Sequence, residues 1–494
     1  MSAAESTSTL AAQTTGIVSI GAYIPRTRLS RSAIATANLW ANPNLKSRGK
    51  GVRAICAHDE DSLTMAVAAA RQAQTKQQPA TAIEQLLFAS TTLPFADRQN
   101  ATVIGEALAL PEQLHSSDFS GSLRCGSSAL ITALQQPRSS LVVAADQRQT
   151  RPASLQEMTV GDGAAAIITG TENLLAKFIG ACSLSIDLTD HYRALQSDFD
   201  YQLEERWIRD EGYLKIIPQA IQQLLKQQPD IDAASIQHLI VTGPDQRTID
   251  TIAKQCGIAE QAVRDNLSLQ CGNTGAAHPL LMLAHALEQA KPGDRLLVAG
   301  FGQGCDVLLL EATEKVLELN KQAPLQTLID NGVEDDNYQR YLSFAGLVEL
   351  DWGMRAERDN RTAHSAFYRH RKTVTGFIGG RCIACDTPQF PRKPFCANPQ
   401  CRSDKGQIDE PFKDKKAAVK SFTEDWLALS YNPPFKYGNV RFEGGGIVMM
   451  EFADFKPGEL EVGTPVSMQF RIKDQDNKRD FKRYFWKATP LLPR

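Results

Sequence analysis

The sequence predicts an α/β fold made by duplication, with helices covering a largely parallel sheet, followed by a zinc ribbon and a small β-barrel. The first observation is a repeat of order. The stretch 82–88, the pair Cys125-Gly126 before a helix-forming run, and the apolar run 141–145 return in sequence as 235–241, Cys271-Gly272 before 276–289, and 296–300. One echo would mean little, whereas three in the same order argue for duplication. The second is that helical patterns alternate with short buried-strand runs in both halves, as they do where helices cover a sheet. The third is that four of the ten cysteines crowd into residues 382–401, and short strands separated by turns follow them.

Taken in order, residues 17–21 read as a first strand ended by Pro25, and Asp59-Glu60-Asp61 opens a helix, its acids suited to the positive end of the dipole. A strand at 83–89, a helix near 102–110, the Cys125 helix and the strand 141–145 follow, then Gly161-Asp162-Gly163 and a second apolar run. The expected boundaries are a disordered tail at 1–15, duplicated halves at 16–175 and 176–315, a charged helical linker at 316–375, the ribbon at 376–405 and the barrel at 406–494.

A net charge of -2 supplies no general attraction to nucleic acid or membrane. No apolar run reaches spanning length, and the Ser/Thr/Ala-rich start lacks the basic and apolar parts of a signal peptide. A cytoplasmic protein is expected. In a reducing compartment the clustered cysteines fit a metal site better than disulfides.

Cys125 is preceded by small residues and followed by Gly126, Ser127 and Ser128, which places it at a helix N-terminus. Unpaired amides and the dipole there favour a thiolate, the form that acts as nucleophile. The competing reading is a buried small hydrophobe. Cys271 and Cys305 fit that second reading better.

Together, the segment 59–67, the Cys125 helix, Gly161-Asp162-Gly163-Ala164, Gly272-Asn273-Thr274 and 300–304 resemble the thiolase superfamily, in the branch of ketoacyl synthase III and hydroxymethylglutaryl-CoA synthase. The resemblance spans residues 16–314 and implies the five-layered fold of that superfamily, dimerisation, and an acyl-CoA or acyl-carrier thioester as substrate. It implies acyl transfer or condensation through acyl-Cys125, with Asn273 polarising the thioester carbonyl and the turn with Gly302 and Gly304 lining the oxyanion site. Two departures accompany it. The branch's histidine falls on Thr242 in one register and on Asp245 in another, and the glutamate base of hydroxymethylglutaryl-CoA synthase falls on Thr91. A threonine is no base at neutral pH. His278 is the nearest substitute, with His285 seven residues on. The alternatives are a hydroxymethylglutaryl-CoA synthase-like protein, or a weakly catalytic scaffold that binds acyl-CoA or a partner enzyme.

Cys382, Cys385, Cys396 and Cys401 have the spacing of a four-thiolate zinc site, which leaves no open position for catalysis. Residues 376–490 resemble the rubredoxin-like ribbon plus OB-fold module that accompanies thiolase-like enzymes, here fused to one. The basic, aromatic tract 470–487 reads first as a solvated strand, then as a contact for CoA or a partner, and last as a nucleic-acid platform.

Overall fold

Strand β1 (Gly16–Tyr23) pairs on one flank with the first half of the chain and on the other with the second, so both halves share one sheet. The computed structural model describes residues 13–75, 82–243, 245–357, 359–456 and 458–491. Residues 1–12 of the expected disordered tail lie outside them. The other strands are β2 (Gln85–Ala89), β3 (His115–Phe119), β4 (Ser140–Asp146), β5 (Gly163–Gly170), β6 (Ala176–Ser185), β7 (His238–Val241), β8 (Arg295–Phe301) and β9 (Gly304–Ala312). They lie in the order β7-β8-β9-β6-β1-β5-β4-β2-β3.

That order confirms the duplication, since β1-β5-β4-β2 is matched outward from the centre by β6-β9-β8-β7. Where β3 would recur, the described residues form only the parallel bridge Leu239↔Val263. The expectation of a largely parallel sheet is corrected. Parallel pairing holds only at the ends, between β7 and β8 and between β2 and its neighbours β3 and β4. The middle of the sheet is antiparallel.

The main helices packed on this sheet are α1 (Ser62–Thr75), α2 (Asn100–Leu108), α3 (Cys125–Leu134), α4 (Leu214–Gln227), α5 (Gln246–Gln255) and α6 (His278–Leu287). Alternation along the strands sorts them into layers, because neighbouring residues of a strand face opposite sides. Val142 and Ala144 of β4 pack with α3 and α6, whereas Leu141 and Val143 pack with α1 and α2. In the second half, Leu296 and Val298 face α6 while Leu297 and Ala299 face α4 and α5. The result is five layers, with α3 and α6 buried at the centre.

The segment expected as a charged helical linker is partly built into the enzyme half. Val333–Asp335 adds parallel to Thr27–Ser30, and Tyr341 and Leu342 pack on Leu29, Ile34 and Met158. Ile378–Cys382 then pairs with Gln407–Pro411 to form the ribbon. Beyond it lie β10 (Ala417–Asp425), β11 (Phe435–Phe442), β12 (Ile447–Glu451), β13 (Pro465–Asp476) and β14 (Phe481–Pro490). They form a sheet in the order β12-β11-β10-β13-β14, curled so that Phe452 bridges to Ala488.

The tract 470–487 is solvated only in part: Lys473 and residues 477–480 are exposed, whereas Arg471 and Lys487 are buried. Arg471 is 2% exposed and pairs with Asp59, Glu60 and Asp454 at 3.3, 2.8 and 2.6 Å. Lys487 pairs with Asp59 at 3.0 Å and Glu451 at 2.7 Å, and the Tyr484 hydroxyl donates to Asp61 at 2.8 Å. The acids that open α1 therefore serve a second purpose. Asp61 caps the helix by accepting from the amides of Leu63 and Thr64, and all three acids receive the barrel's donors.

Candidate active site

Cys125 is the first residue of α3 and is 4% exposed. Its neighbour Gly126 is dictated by close approach, since a Cβ there would stand 2.2 Å from the Ala276 carbonyl oxygen of the second half. This contact brings the nucleophile helix of one repeat against the Asn273 loop of the other.

The expectation of a resting thiolate is corrected. Burial, followed by the Asp146 carboxylate, pushes the Cys125 thiol well above its ordinary value, and the amides of Gly126 and Cys125 offset only part of this. The helix end alone does not outweigh desolvation.

Asn273 is held by its own backbone. Its N–H donates to Thr159 O at 2.8 Å and its carbonyl accepts from Gly161 N at 2.9 Å. The side-chain oxygen accepts from Gly275 N at 2.9 Å, while Nδ2 has no partner among the described residues. A thioester oxygen at that point would find a donor.

His278 opens α6 and is fully buried. Nδ1 lies 3.3 Å from both Thr274 N and Thr274 Oγ1, the Asn266 backbone holds the ring from another side, and burial pulls its pKa down to about 4. A neutral ring tied into its own helix start offers no free nitrogen to a thiol. His285 bonds Gln289 and Gln326 at the surface.

The turn from β8 to β9 contains both predicted glycines. Gly304, at φ 116°, needs the conformation that only glycine takes easily. Gly302 N donates to Gly304 O at 3.1 Å, so this amide closes the turn and is not available to an oxyanion. The Gly302 carbonyl accepts from Ser122 Oγ at 2.7 Å and Arg124 Nε at 3.0 Å.

The positions of the missing bases are occupied structurally. Thr91 donates through N and Oγ1 to Asp146 at 2.7 and 3.0 Å, and its carbonyl accepts from Arg193, which is supplied by the loop after β6. Thr242 accepts from Phe301 N, and Asp245 caps α5 by accepting from Thr248 N at 2.9 Å.

Two carboxylates near the thiol were not among the candidates read from the sequence. Asp146 accepts from Ser90 Oγ, Thr91, Thr92 Oγ1 and Ala276 N, joining the two halves. Asp306 accepts from Arg124 Nη1, Ser127 Oγ and Ser128 Oγ. Each is a lone acid within or ending an apolar run, and that is the signal that would have found them.

The Cys382, Cys385, Cys396 and Cys401 sulfurs all lie within 4.8 Å of one another, with Cys385–Cys396 at 3.5 Å and Cys382–Cys401 at 3.9 Å. A zinc ion about 2.3 Å from each sulfur sets the sulfurs about 3.8 Å apart, so the four residues fit it. The Thr387 hydroxyl and amide hold the Cys385 thiol down to about 6, whereas burial and the neighbouring thiols push Cys396 up, so the crowded sulfurs oppose one another's ionisation unless a cation is shared. Zinc held there would tie the end of strand Ile378–Cys382 to the loops that carry Cys385, Cys396 and Cys401.

Fold and buried thiol together define a condensing acyltransferase of the thiolase superfamily fused to a zinc ribbon and an OB-type barrel. Residues 226–308 match the family described as 3-oxoacyl-[acyl-carrier-protein] synthase III C terminal, and residues 376–405 match the ChsH2 rubredoxin-like zinc ribbon domain. The hydroxymethylglutaryl-CoA synthase of Aeropyrum pernix is 30% identical over 345 residues, covering 67% of this chain and 94% of that protein. The enzyme of the same name from Methanopyrus kandleri is 27% identical, covering 67% and 96%. Among solved structures, MvaS in complex with 3-hydroxy-3-methylglutaryl coenzyme A superposes with a TM-score of 0.59 at 17% identity, over 68% of this chain and 92% of that one. The curacin-pathway HMG synthase in complex with holo donor-ACP gives 0.59 at 16%, over 70% and 96%. The chain belongs to the hydroxymethylglutaryl-CoA synthase family.

Proposed function

We propose that the chain transfers an acyl group from a coenzyme A or acyl-carrier thioester through a covalent Cys125 thioester to a second acyl nucleophile. The observation that carries this is the meeting of Cys125, at the start of α3, with the Asn273 loop across the Gly126–Ala276 contact. In the first step the sulfur attacks the thioester carbonyl, the bond to the donor's sulfur breaks, and the thiol proton leaves with the departing thiol. In the second, the α-carbon of the second thioester loses a proton and forms a carbon-carbon bond to the same carbonyl, the bond from that carbonyl to the Cys125 sulfur breaks, and the departing sulfur takes up the proton. Asn273 Nδ2 is the proposed donor to that carbonyl, and His278 has no part in moving the proton. Zinc is assigned a structural role, because four thiolates leave no open position.

The relatives named for hydroxymethylglutaryl-CoA synthesis and the structure with a donor-ACP support a CoA or carrier substrate. Strand β3, paired on one side only, supports a homodimer joined at that sheet edge. Ten unpaired cysteines support a cytoplasmic site. Among the described residues no helix is long and apolar enough to cross a membrane.

The test is incubation with a panel of acyl-CoAs followed by intact-mass measurement. Wild-type protein is expected to gain one acyl mass that Cys125→Ala does not gain, and equal labelling of both would reject the reading. A second reading, an acyl-binding scaffold without turnover, is favoured by Thr91 and Thr242, which carry no base. Acetyl-CoA and acetoacetyl-CoA supplied together decide between them: acylation without product supports the scaffold, and product supports the synthase.

A further inference from the structure

Two buried acids, Asp146 from β4 and, more weakly, Asp306 from β9, raise the Cys125 thiol, and Arg124 is the only cation among the described residues in contact with either of them. Asp306 is fully buried and packs against the first turn of α3, where Ser127 Oγ at 3.0 Å and Ser128 Oγ at 2.5 Å donate to its Oδ2. Its other oxygen takes Arg124 Nη1 at 3.0 Å. The same guanidinium reaches Gly302 O through Nε and Ser185 Oγ through Nη2, both at 3.0 Å. One side chain therefore ties together the loop before Cys125, the end of β6 and the β8–β9 turn.

A carboxylate at a helix N-terminus competes with any other anion for the same dipole and raises the cost of placing a second charge beside it. In a thiolate enzyme that position is normally kept for the sulfur or the oxyanion. Here a fixed acid holds it, and the acid's own cation is part of the loop that delivers the sulfur.

We propose that Asp306 and Arg124 are a positioning pair for Cys125, the carboxylate keeping the resting sulfur protonated and the guanidinium limiting that effect while it fastens the Gly302 turn to the nucleophile loop. The proposal rests on Cys125 being the nucleophile. Its consequence is an enzyme that is inert toward stray electrophiles and becomes reactive when a bound thioester displaces water and supplies a carbonyl to receive the charge.

The proposal requires the two members to push the thiol in opposite directions, and this separates a positioning role from simple support of the fold. The rate of Cys125 alkylation by iodoacetamide is followed against pH in the full-length protein, by mass spectrometry of the peptide containing that residue. Asp306→Asn is expected to shift the profile down by about one pH unit, and Arg124→Met to shift it up by a similar amount. Both are expected to lower acyl transfer at least tenfold in kcat with a smaller change in KM. Ser128→Ala, which removes one donor and no charge, leaves a folded variant if Asp306→Asn does not fold, and is expected to move the profile upward by strengthening the acid's unshielded charge. Shifts of the same sign in Asp306→Asn and Arg124→Met, or no shift in either, would overturn the proposal; so would an upward shift absent from Ser128→Ala when Asp306→Asn cannot be measured. A wild-type Cys125 unreactive at any pH up to about 11 would overturn it too, since the thiol would then be sealed rather than held. Failure of acyl-CoA labelling with the alkylation shifts intact would reject the acyl-transfer reading and leave the pair standing.

Discussion

His278 shows how the same residue type serves chemistry or structure according to what its nitrogens touch. A base needs a free nitrogen facing the proton it takes. Here Thr274 and Asn266 hold the ring, and burial keeps it neutral by pulling its pKa from the ordinary 6.5 down to about 4. The folded protein thus resists protonating a group that the unfolded chain protonates readily. Stability from this residue is complete above pH 6.5 and is lost as the pH falls toward 4. The loss is on the order of 3 kcal/mol. His278→Gln should therefore flatten the fall of melting temperature across that window relative to wild type, while leaving Cys125 acylation at neutral pH within about threefold. A loss of acylation a hundredfold or more in a folded variant would restore the residue to the mechanism.

At the scale of elements, the start of α1 shows what a sequence does and does not disclose. Asp59-Glu60-Asp61 was readable as a helix start because capping is local, and Asp61 does cap. That the same acids bind Arg471 and Lys487, over 400 positions away, was not readable, since an alternating basic strand looks the same on a surface as in an interface. The duplication was legible because a repeat in order leaves a mark. Strand direction was not, because a buried apolar run has the same composition in parallel and antiparallel neighbours. At the site, Cys125 and the four ribbon cysteines carried spacing signals, while Asp146 and Asp306 gain meaning only when folding brings them to the thiol. The buried clamp makes a firm prediction. Arg471→Met leaves Asp59, Glu60 and Asp454 facing one another without their shared cation, and Glu60 is already pushed up to about 7 by burial. Breaking such a pair from one side costs about 3–5 kcal/mol. Denaturant unfolding should show that loss, and Arg471→Met/Glu60→Gln should recover part of it because one of the stranded charges is gone.

For the whole molecule, the question is whether the barrel is a passenger on a tether. Its aromatic core, with Phe412, Phe470 and Trp486, belongs to the same buried cluster as Leu63, Val67, Phe88 and Ile104 of the enzyme half. Arg71 of α1 donates to the carbonyls of Met468 and Lys413, and Lys413 reaches back to Leu108 O at 2.9 Å. Two thirds of this chain span the curated relatives nearly end to end, and the remaining third packs against a face of that enzyme half. In this chain that face has been given to the barrel: it bears buried acids awaiting Arg471 and Lys487 and apolar residues awaiting the ribbon and barrel strands. A chain cut after Thr375 would expose both, and exposed apolar area of that kind drives association. The truncated protein is expected to melt about 10 °C or more below the full chain, or to aggregate, as measured by scanning calorimetry and light scattering. The full chain should unfold in a single transition that removes barrel and enzyme half together. Two separate transitions, with the first leaving Cys125 acylation intact, would show instead that the barrel is only tethered.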